Sequence, residues 1–273
     1  LQLREALIEG RLNLPLERWS KRYQRSLEVL EKVWLPQFDD VGMWERVKRV
    51  IRSQPAEAIA AASLVFGGVI ERYPNIRFYM VHGGGFTRGD KHRPGEFMYD
   101  NVMVWAVKNG MVAAQTNYRL APQFKYPAAN DDVSASIKYI REHAREYGGD
   151  PNKIFVWGHS AGASLVGIYV SHPEFHYKQG GGLIGAVMTS GGYEFRPNAF
   201  IADDATAKKA SSVEGLKATK IPLFFTRAEW DPEVPQIAQG EMIHKVLTES
   251  GHDHFFHVMK THNHMSQVYS VGT

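Results

Sequence analysis

The amino-acid sequence predicts an α/β protein with a mainly parallel central sheet and helices on both faces. Short apolar runs alternate with amphipathic segments of about 10–15 residues, a pattern that favours parallel βαβ units. A serine between two glycines, in Gly158-His159-Ser160-Ala161-Gly162, directly follows one of the apolar runs. The length of 273 residues fits one such domain with at most a small cap.

The composition argues against several classes of protein. A hydrophobic content of 44% supports a large core rather than intrinsic disorder. The net charge of +3 is small and its charges are interspersed, so we expect no nucleic-acid partner. Without cysteine the chain has no disulfide, thiol nucleophile or thiolate metal site. No unbroken apolar stretch reaches the roughly 20 residues of a membrane span. We therefore expect no membrane partner and a cytoplasmic protein, with export left open.

Residues 1–52 are predicted to form two or three amphipathic helices. Their apolar residues recur at steps of three and four, and Pro15 and Pro36 interrupt the pattern. No catalytic pattern occurs there. We expect a cap-like or packing segment over residues 1–52 and a catalytic domain over residues 53–273.

Strands and helices alternate through the rest of the chain. Residues 58–69 are predicted to be a buried helix or a strand–helix pair. The predicted strands are residues 76–81, 111–115, 154–157, 183–189, 221–226 and 255–259. The predicted helices are residues 102–108, 132–147, 161–171 and 235–250. A polar, Ala/Lys-rich stretch at residues 197–220 interrupts the alternation.

Ser160 carries the main chemical prediction. Its place between a buried strand and a helix, with glycine two residues away on each side, is typical of a nucleophile elbow. The turn is so tight that a side chain at either glycine would collide with a neighbouring element. Taken alone, Ser160 could equally be a helix-capping serine.

The chain also supplies an acid and a base downstream, in the order serine, acid, histidine. Asp231 follows the fifth predicted strand, and His262 and His264 follow the sixth. All of them lie on loops that leave the carboxyl ends of parallel strands, where open α/β sheets place their sites. Alone, Asp231 before Pro232 would be a turn residue. Together with Ser160 the set predicts a serine hydrolase.

The glycine run His82-Gly83-Gly84-Gly85-Phe86 predicts an oxyanion hole. Backbone N–H groups can approach a developing oxyanion closely only where side chains are absent, so Gly84 and Gly85 are the expected donors, with Ala161 as the third. Each donor of this kind is worth about 3–4 kcal/mol. Phe86, His159 and Trp230 are candidate substrate contacts.

A metal site is the alternative use of the C-terminal histidines. These are His252, His254, His257, His262 and His264. They are expected on a turn, a strand and a loop, and no two of them are spaced i, i+4 on a helix. We therefore predict no metal and no cofactor.

Several motifs together resemble the α/β-hydrolase carboxylesterases of the hormone-sensitive-lipase-like group. The matches are HGGGF at 82–86, NYRLAP at 117–122, YPAANDD at 126–132, GGDPNKIFVWGHSAGA at 148–163, AEWDP at 228–232 and HNHMS at 262–266. The resemblance covers about residues 82–273. It implies the α/β-hydrolase fold and hydrolysis of small or short-acyl esters through an acyl-enzyme, without a cofactor. It implies Ser160 as nucleophile, Asp231 as acid and His264 as base, with His262 as the alternative base.

Residues 57–85 depart from that group. The stretch LVFGGVIERYPN at 64–75, running into the glycine motif, resembles a segment of metal-dependent amidohydrolase and decarboxylase barrels. The N-terminal His-x-His ligand pair of such barrels is absent. A metal-dependent amidohydrolase or decarboxylase, a catalytically silent binding protein of the hydrolase fold, and a hydrolase of amides or formamides thus remain alternatives. Homo-oligomerisation through a sheet edge or helix face is also possible.

Overall fold

The computed structural model describes residues 77–93, 96–177 and 180–271. The six strands are β1 Arg77–Val81, β2 Val112–Thr116, β3 Ile154–His159, β4 Gly185–Thr189, β5 Leu223–Trp230 and β6 His254–Asn263. The helices are α1 Asp100–Lys108, α2 Ala128–His143, α3 Ala161–Ser171, α4 Asp204–Ala210, α5 Val213–Ala218, α6 Ala238–Glu249 and α7 Ser266–Tyr269. The predicted elements at residues 1–52 and 58–69 lie outside the described residues.

The six described strands form one sheet in the order β2-β1-β3-β4-β5-β6, and every pairing is parallel. The predicted parallel sheet is therefore confirmed, and each predicted strand from 76–81 onwards is present with shifted ends. β5 and β6 extend further than predicted. Their pairing continues past an irregularity between Ala228 and Trp230, so the sheet edge carries both strands up to the loops that follow.

Side chains of the central strands alternate between two cores. In β1, Tyr79 and Val81 pack on one face, and Phe78 and Met80 pack on the other. The Phe78 ring meets the Trp157 ring of β3 edge-on at 5.5 Å, a contact worth about 0.5–1.5 kcal/mol beyond its buried area. A strand buried on both faces is the pattern expected when helices cover both sides of a parallel sheet.

α3 is the helix most enclosed by the fold, because every one of its residues is buried. It has apolar or small residues all round, as expected for a helix surrounded by protein. α2, by contrast, is amphipathic. It buries Ala129, Val133 and Ile137, which are spaced four apart along one face. Because all of its residues are buried, α3, the helix that follows Ser160, is held in place by packing on every side.

The polar stretch 197–220 contains two short helices that the sequence analysis did not predict. α4 begins after Asp203, whose Oδ1 accepts a hydrogen bond from the Thr206 amide at 2.7 Å. Such a cap satisfies one of the free N–H groups at a helix start. α5 follows at once and buries Val213 and Leu216. The helices are too short for apolar periodicity to reveal them.

Candidate active site

Ser160 sits on a strained turn between β3 and α3. Its backbone has φ 56° and ψ −121°, which side-chain-bearing residues rarely adopt. A Cβ on Gly158 would collide with the carbonyl of Gly162, and a Cβ on Gly162 would collide with the carbonyls of Val81 and His82. The close approach of backbone to backbone that the elbow motif predicts is therefore present.

The serine hydroxyl is left available by this turn. The Ser160 amide donates to the Thr189 carbonyl at 2.8 Å, which ties the elbow to the end of β4. The side chain is half-buried, and none of the described residues is hydrogen-bonded to its Oγ. Catalytic hydrogen bonds of this kind often tighten only once substrate is bound.

Asp231 and His264 form an acid–imidazole pair in which the acid is buried. His264 Nδ1 donates to Asp231 Oδ1 at 2.6 Å, and the Asp231 carboxylate has no exposed surface. This bond places the proton on Nδ1 and leaves Nε2 of the neutral ring as an acceptor. An imidazole in that tautomer can take a proton from a serine hydroxyl.

The second oxygen of Asp231 is held by the fold. Oδ2 accepts hydrogen bonds from Ser190 Oγ at 2.6 Å and from the Ala228 amide at 2.8 Å. Burial alone would raise the pKa of Asp231. The hydrogen bonds from His264, Ser190 and Ala228 outweigh that effect and hold the pKa of Asp231 below its usual value. The carboxylate is therefore ionised at neutral pH.

Two residues behind this pair were not predicted from the sequence. Gln267 Nε2 donates to Ser190 Oγ at 2.7 Å and to the His264 carbonyl at 3.1 Å. Ser190 follows β4 and has φ 54°. The only available signal was its place in Ser190-Gly191-Gly192 after a predicted strand; nothing in the sequence marked Gln267.

The alternative base, His262, has other partners. Its Nδ1 donates to the Lys260 carbonyl at 2.9 Å, and its Nε2 lies 3.2 Å from Ser270 Oγ. The ring is buried, and His262 lies within β6 rather than on the loop after it, as the sequence had predicted. Of the two histidines left open by the sequence, His264 is the one that the structure joins to Asp231.

The glycine run after β1 supplies backbone donors. No described residue accepts a hydrogen bond from the amides of Gly84, Gly85 or Ala161, whereas the Gly83 amide donates to Tyr99 Oη at 2.7 Å. A Cβ on Gly83 would press on Ser160 Cβ, so the run passes directly beside the elbow. Three uncommitted amides at this place are suited to an oxyanion.

The predicted substrate contacts lie in different surroundings. Phe86 is half-buried and stacks on Phe200 at 4.3 Å, while Trp230 is 62% exposed at the end of β5. His159 is buried, and both of its ring nitrogens are hydrogen-bonded within the protein. Its ring therefore has no nitrogen left for a substrate, and a different role is proposed for it below.

The described residues contain neither a cluster of potential metal ligands nor a candidate membrane-spanning helix. No three histidine, aspartate or glutamate side chains gather there as metal ligands would. No helix in the described part of the chain is long and apolar enough to cross a bilayer.

Comparison with known proteins finds similarity to proteins named as esterases. Residues 72–178 match the model of the BD-FAE family. Carboxylesterase NlhH of Mycobacterium tuberculosis is 36% identical over 102 residues, which make up 37% of this chain and 30% of that protein. Esterase LipI of the same organism is 36% identical over 87 residues, which make up 32% of this chain and 26% of that protein. The matches thus span less than a third of these relatives' length.

A solved structure extends the likeness to most of the chain. The apo form of Thermogutta terrifontis esterase 2 aligns with a TM-score of 0.58 at 20% identity, covering 73% of this chain and 77% of that one. The chain therefore has the α/β-hydrolase fold. The same Thermogutta esterase has also been solved phosphoramylated by tabun.

The α/β-hydrolase fold accounts for part of the segment that resembled a metal-dependent barrel. From Arg77 on, that segment forms β1 and the glycine loop of the hydrolase sheet, and the BD-FAE match includes residues 72–85. His82 is buried, its Nδ1 donates to the Gly83 carbonyl at 2.7 Å, and its ring stacks on Tyr118 at 4.4 Å. A metal-dependent amidohydrolase is therefore not favoured. Residues 57–76 lie outside the described residues.

Proposed function

We propose that this α/β-hydrolase is a serine carboxylesterase that hydrolyses small or short-acyl carboxylic esters through an acyl-enzyme. The observation that carries the proposal is the His264–Asp231 bond of 2.6 Å on the loops after β5 and β6, beside the strained elbow that bears Ser160. The similarity to carboxylesterase NlhH and esterase LipI supports it.

Acylation follows from the roles of these groups. His264 Nε2 takes the proton of Ser160 Oγ as the oxygen attacks the ester carbonyl, and Asp231 stabilises the resulting imidazolium. The amides of Gly84, Gly85 and Ala161 hold the oxyanion of the tetrahedral intermediate. His264 then gives its proton to the departing alcohol oxygen, and the acyl group remains on Ser160.

Deacylation repeats the cycle with water. His264 takes a proton from a water molecule that attacks the acyl carbonyl, and the same three amides hold the second oxyanion. Collapse of that intermediate returns the proton to Ser160 Oγ and releases the carboxylic acid. Neither step needs a metal or cofactor.

The aromatic residues after the glycine run support a small acyl group. Phe86 stacks on Phe200 at 4.3 Å and meets Phe195 edge-on at 6.3 Å. Phe86 directly follows the expected oxyanion donors, and its packing on these rings would make it a fixed apolar boundary of the acyl site, which favours a short acyl chain over a long one.

Hydrolysis of p-nitrophenyl acetate, butyrate and decanoate by the purified protein tests the function. We expect turnover of acetate and butyrate, at least about tenfold lower kcat/KM for decanoate, and no loss of activity with a chelator. A folded protein that turns over none of these esters would overturn the proposal in favour of a silent binding protein. Loss of activity with chelator would favour metal-dependent chemistry instead.

A further inference from the structure

Tyr99 is a buried residue that links three parts of the candidate site. It lies at the start of α1 with φ 69°, a conformation uncommon for a tyrosine, so its surroundings must hold it. Its hydroxyl lies between the carboxyl ends of β1 and β3. The Gly83 amide donates to Tyr99 Oη at 2.7 Å, and His159 Nδ1 lies 2.9 Å from the same oxygen.

The direction of these hydrogen bonds follows from the His264 carbonyl, which can only accept. His159 Nε2 lies 2.8 Å from that carbonyl and donates to it, so the neutral His159 ring carries its proton on Nε2. Nδ1 is then an acceptor, and Tyr99 Oη donates to it while accepting from the Gly83 amide. Burial, followed by the nearby His264 ring, lowers the pKa of His159 to about 3, and burial raises the pKa of Tyr99 to about 12. Both groups therefore stay neutral at ordinary pH.

The Gly83 amide, Tyr99, His159 and the His264 carbonyl are thus joined by a relay of three hydrogen bonds. The position of His159 in the chain makes this relay important for the site. His159 is bonded covalently to Ser160, and it is hydrogen-bonded to the backbone of His264. The rings of His159 and His264 pack with their centroids 4.7 Å apart. One residue therefore sets how the nucleophile and its base lie relative to each other. At the other end of the relay, Tyr99 holds Gly83, which directly precedes Gly84 and Gly85, the expected oxyanion donors.

We infer that Tyr99 and His159 are positioning residues. The hydrogen bond from His159 holds the loop that carries His264 against the elbow, and the hydrogen bonds of Tyr99 hold the glycine run beside them. This inference rests on the proposed esterase function for its kinetic consequence only. Catalytic groups must be held within a fraction of an ångström, and a misplacement of about 1 Å can cost about 100-fold in rate. Removal of the tyrosine hydroxyl leaves His159 Nδ1 and the Gly83 amide without a buried partner.

Tyr99→Phe is the variant that tests the relay. For p-nitrophenyl acetate we expect kcat to fall about 10-fold to 100-fold while KM stays within about twofold, because geometry and not binding is disturbed. Tyr169→Phe is the matched control. Tyr169 is fully buried and donates to the Gly181 carbonyl at 2.8 Å, away from the candidate site. It should keep kcat within about twofold of wild type.

A second measurement reads the relay without relying on turnover. Nitrogen-15 NMR of the histidine rings should show His159, assigned by its absence in His159→Gln, as the neutral Nε2–H tautomer with no titration between about pH 5 and 8. In Tyr99→Phe the His159 Nδ1 signal should shift, whereas in Tyr169→Phe it should not. The Gln side chain can still donate near the position of Nε2, so His159→Gln should keep more kcat than His159→Leu.

The outcomes separate the two proposals. Tyr99→Phe with wild-type kcat and an unmoved His159 signal would overturn the relay, as would equal losses of kcat in Tyr99→Phe and Tyr169→Phe. Loss of kcat that merely follows a loss of folded protein, seen by circular dichroism, would also count against it. A wild-type protein that shows the predicted His159 signals but hydrolyses no ester would overturn the esterase function and leave the hydrogen-bonded relay standing.

Discussion

Ser160→Ala is expected to lower kcat for p-nitrophenyl acetate by at least about 10⁴-fold, the largest effect of any single substitution in this chain. Alanine cannot form the acyl-enzyme, so only the oxyanion donors and substrate binding would remain to accelerate hydrolysis by water. The fold should survive because alanine keeps the Cβ of Ser160 and the hydroxyl makes no hydrogen bond with the described residues.

The control for this variant is Ser171→Ala. Ser171 closes the same helix α3, is buried, and donates to the Ile168 carbonyl at 3.2 Å. It undergoes the same chemical change without reaching the candidate site, so its kcat should be near that of wild type. Residual activity above about a tenth of wild type in Ser160→Ala would show that another group is the nucleophile.

Asp231→Asn is expected to lower kcat about 10⁴-fold with little change in KM. Ser190 Oγ and the Ala228 amide both donate toward one side of this residue, so the amide oxygen of asparagine would face them. Its NH₂ group would then face His264 Nδ1, which would have to accept. The proton would move to Nε2, and His264 could no longer take a proton from Ser160.

Asp203→Asn provides the matched control for the carboxylate. Asp203 caps α4, where asparagine is as good a cap as aspartate, so both activity and melting temperature should be nearly unchanged. Steady-state kinetics and thermal denaturation of the two variants measure the contrast. If Asp231→Asn kept kcat within tenfold of wild type, Asp231 would not be the group that sets the tautomer of His264.

The elbow could be predicted from a local motif, and the meeting of Asp231 and His264 from the order of strands along the chain. Gly158 and Gly162 are required by backbone contacts within a few residues of Ser160 and by the end of β1. Asp231 and His264 were found because strand ends of a parallel sheet share one edge, so the order of elements along the chain predicts their meeting. The hydrogen bond between them confirms that they meet, and it favours His264 over His262.

The supporting residues could not be predicted, because neither a local motif nor the order of strands marks them. Ser190 and Gln267 are 77 positions apart, and Tyr99 is 60 positions from His159. Serine, glutamine and tyrosine are common residues, and their function here depends on pairings that only the folded chain creates. The prediction that His159 contacts substrate rests on its place beside Ser160, whereas the hydrogen bonds of its ring could not be predicted from the sequence.

The most direct test of the account is covalent labelling by diethyl p-nitrophenyl phosphate, an organophosphate that reacts with activated serines. Mass spectrometry of the intact protein and of its peptides should show one diethylphosphoryl group per chain, carried by Ser160, with activity lost in proportion to labelling. Ser160→Ala should take up none, and Asp231→Asn should be labelled far more slowly than wild type. Labelling at a different residue, or full esterase activity in protein that resists the reagent, would contradict the assignment of Ser160 as the nucleophile.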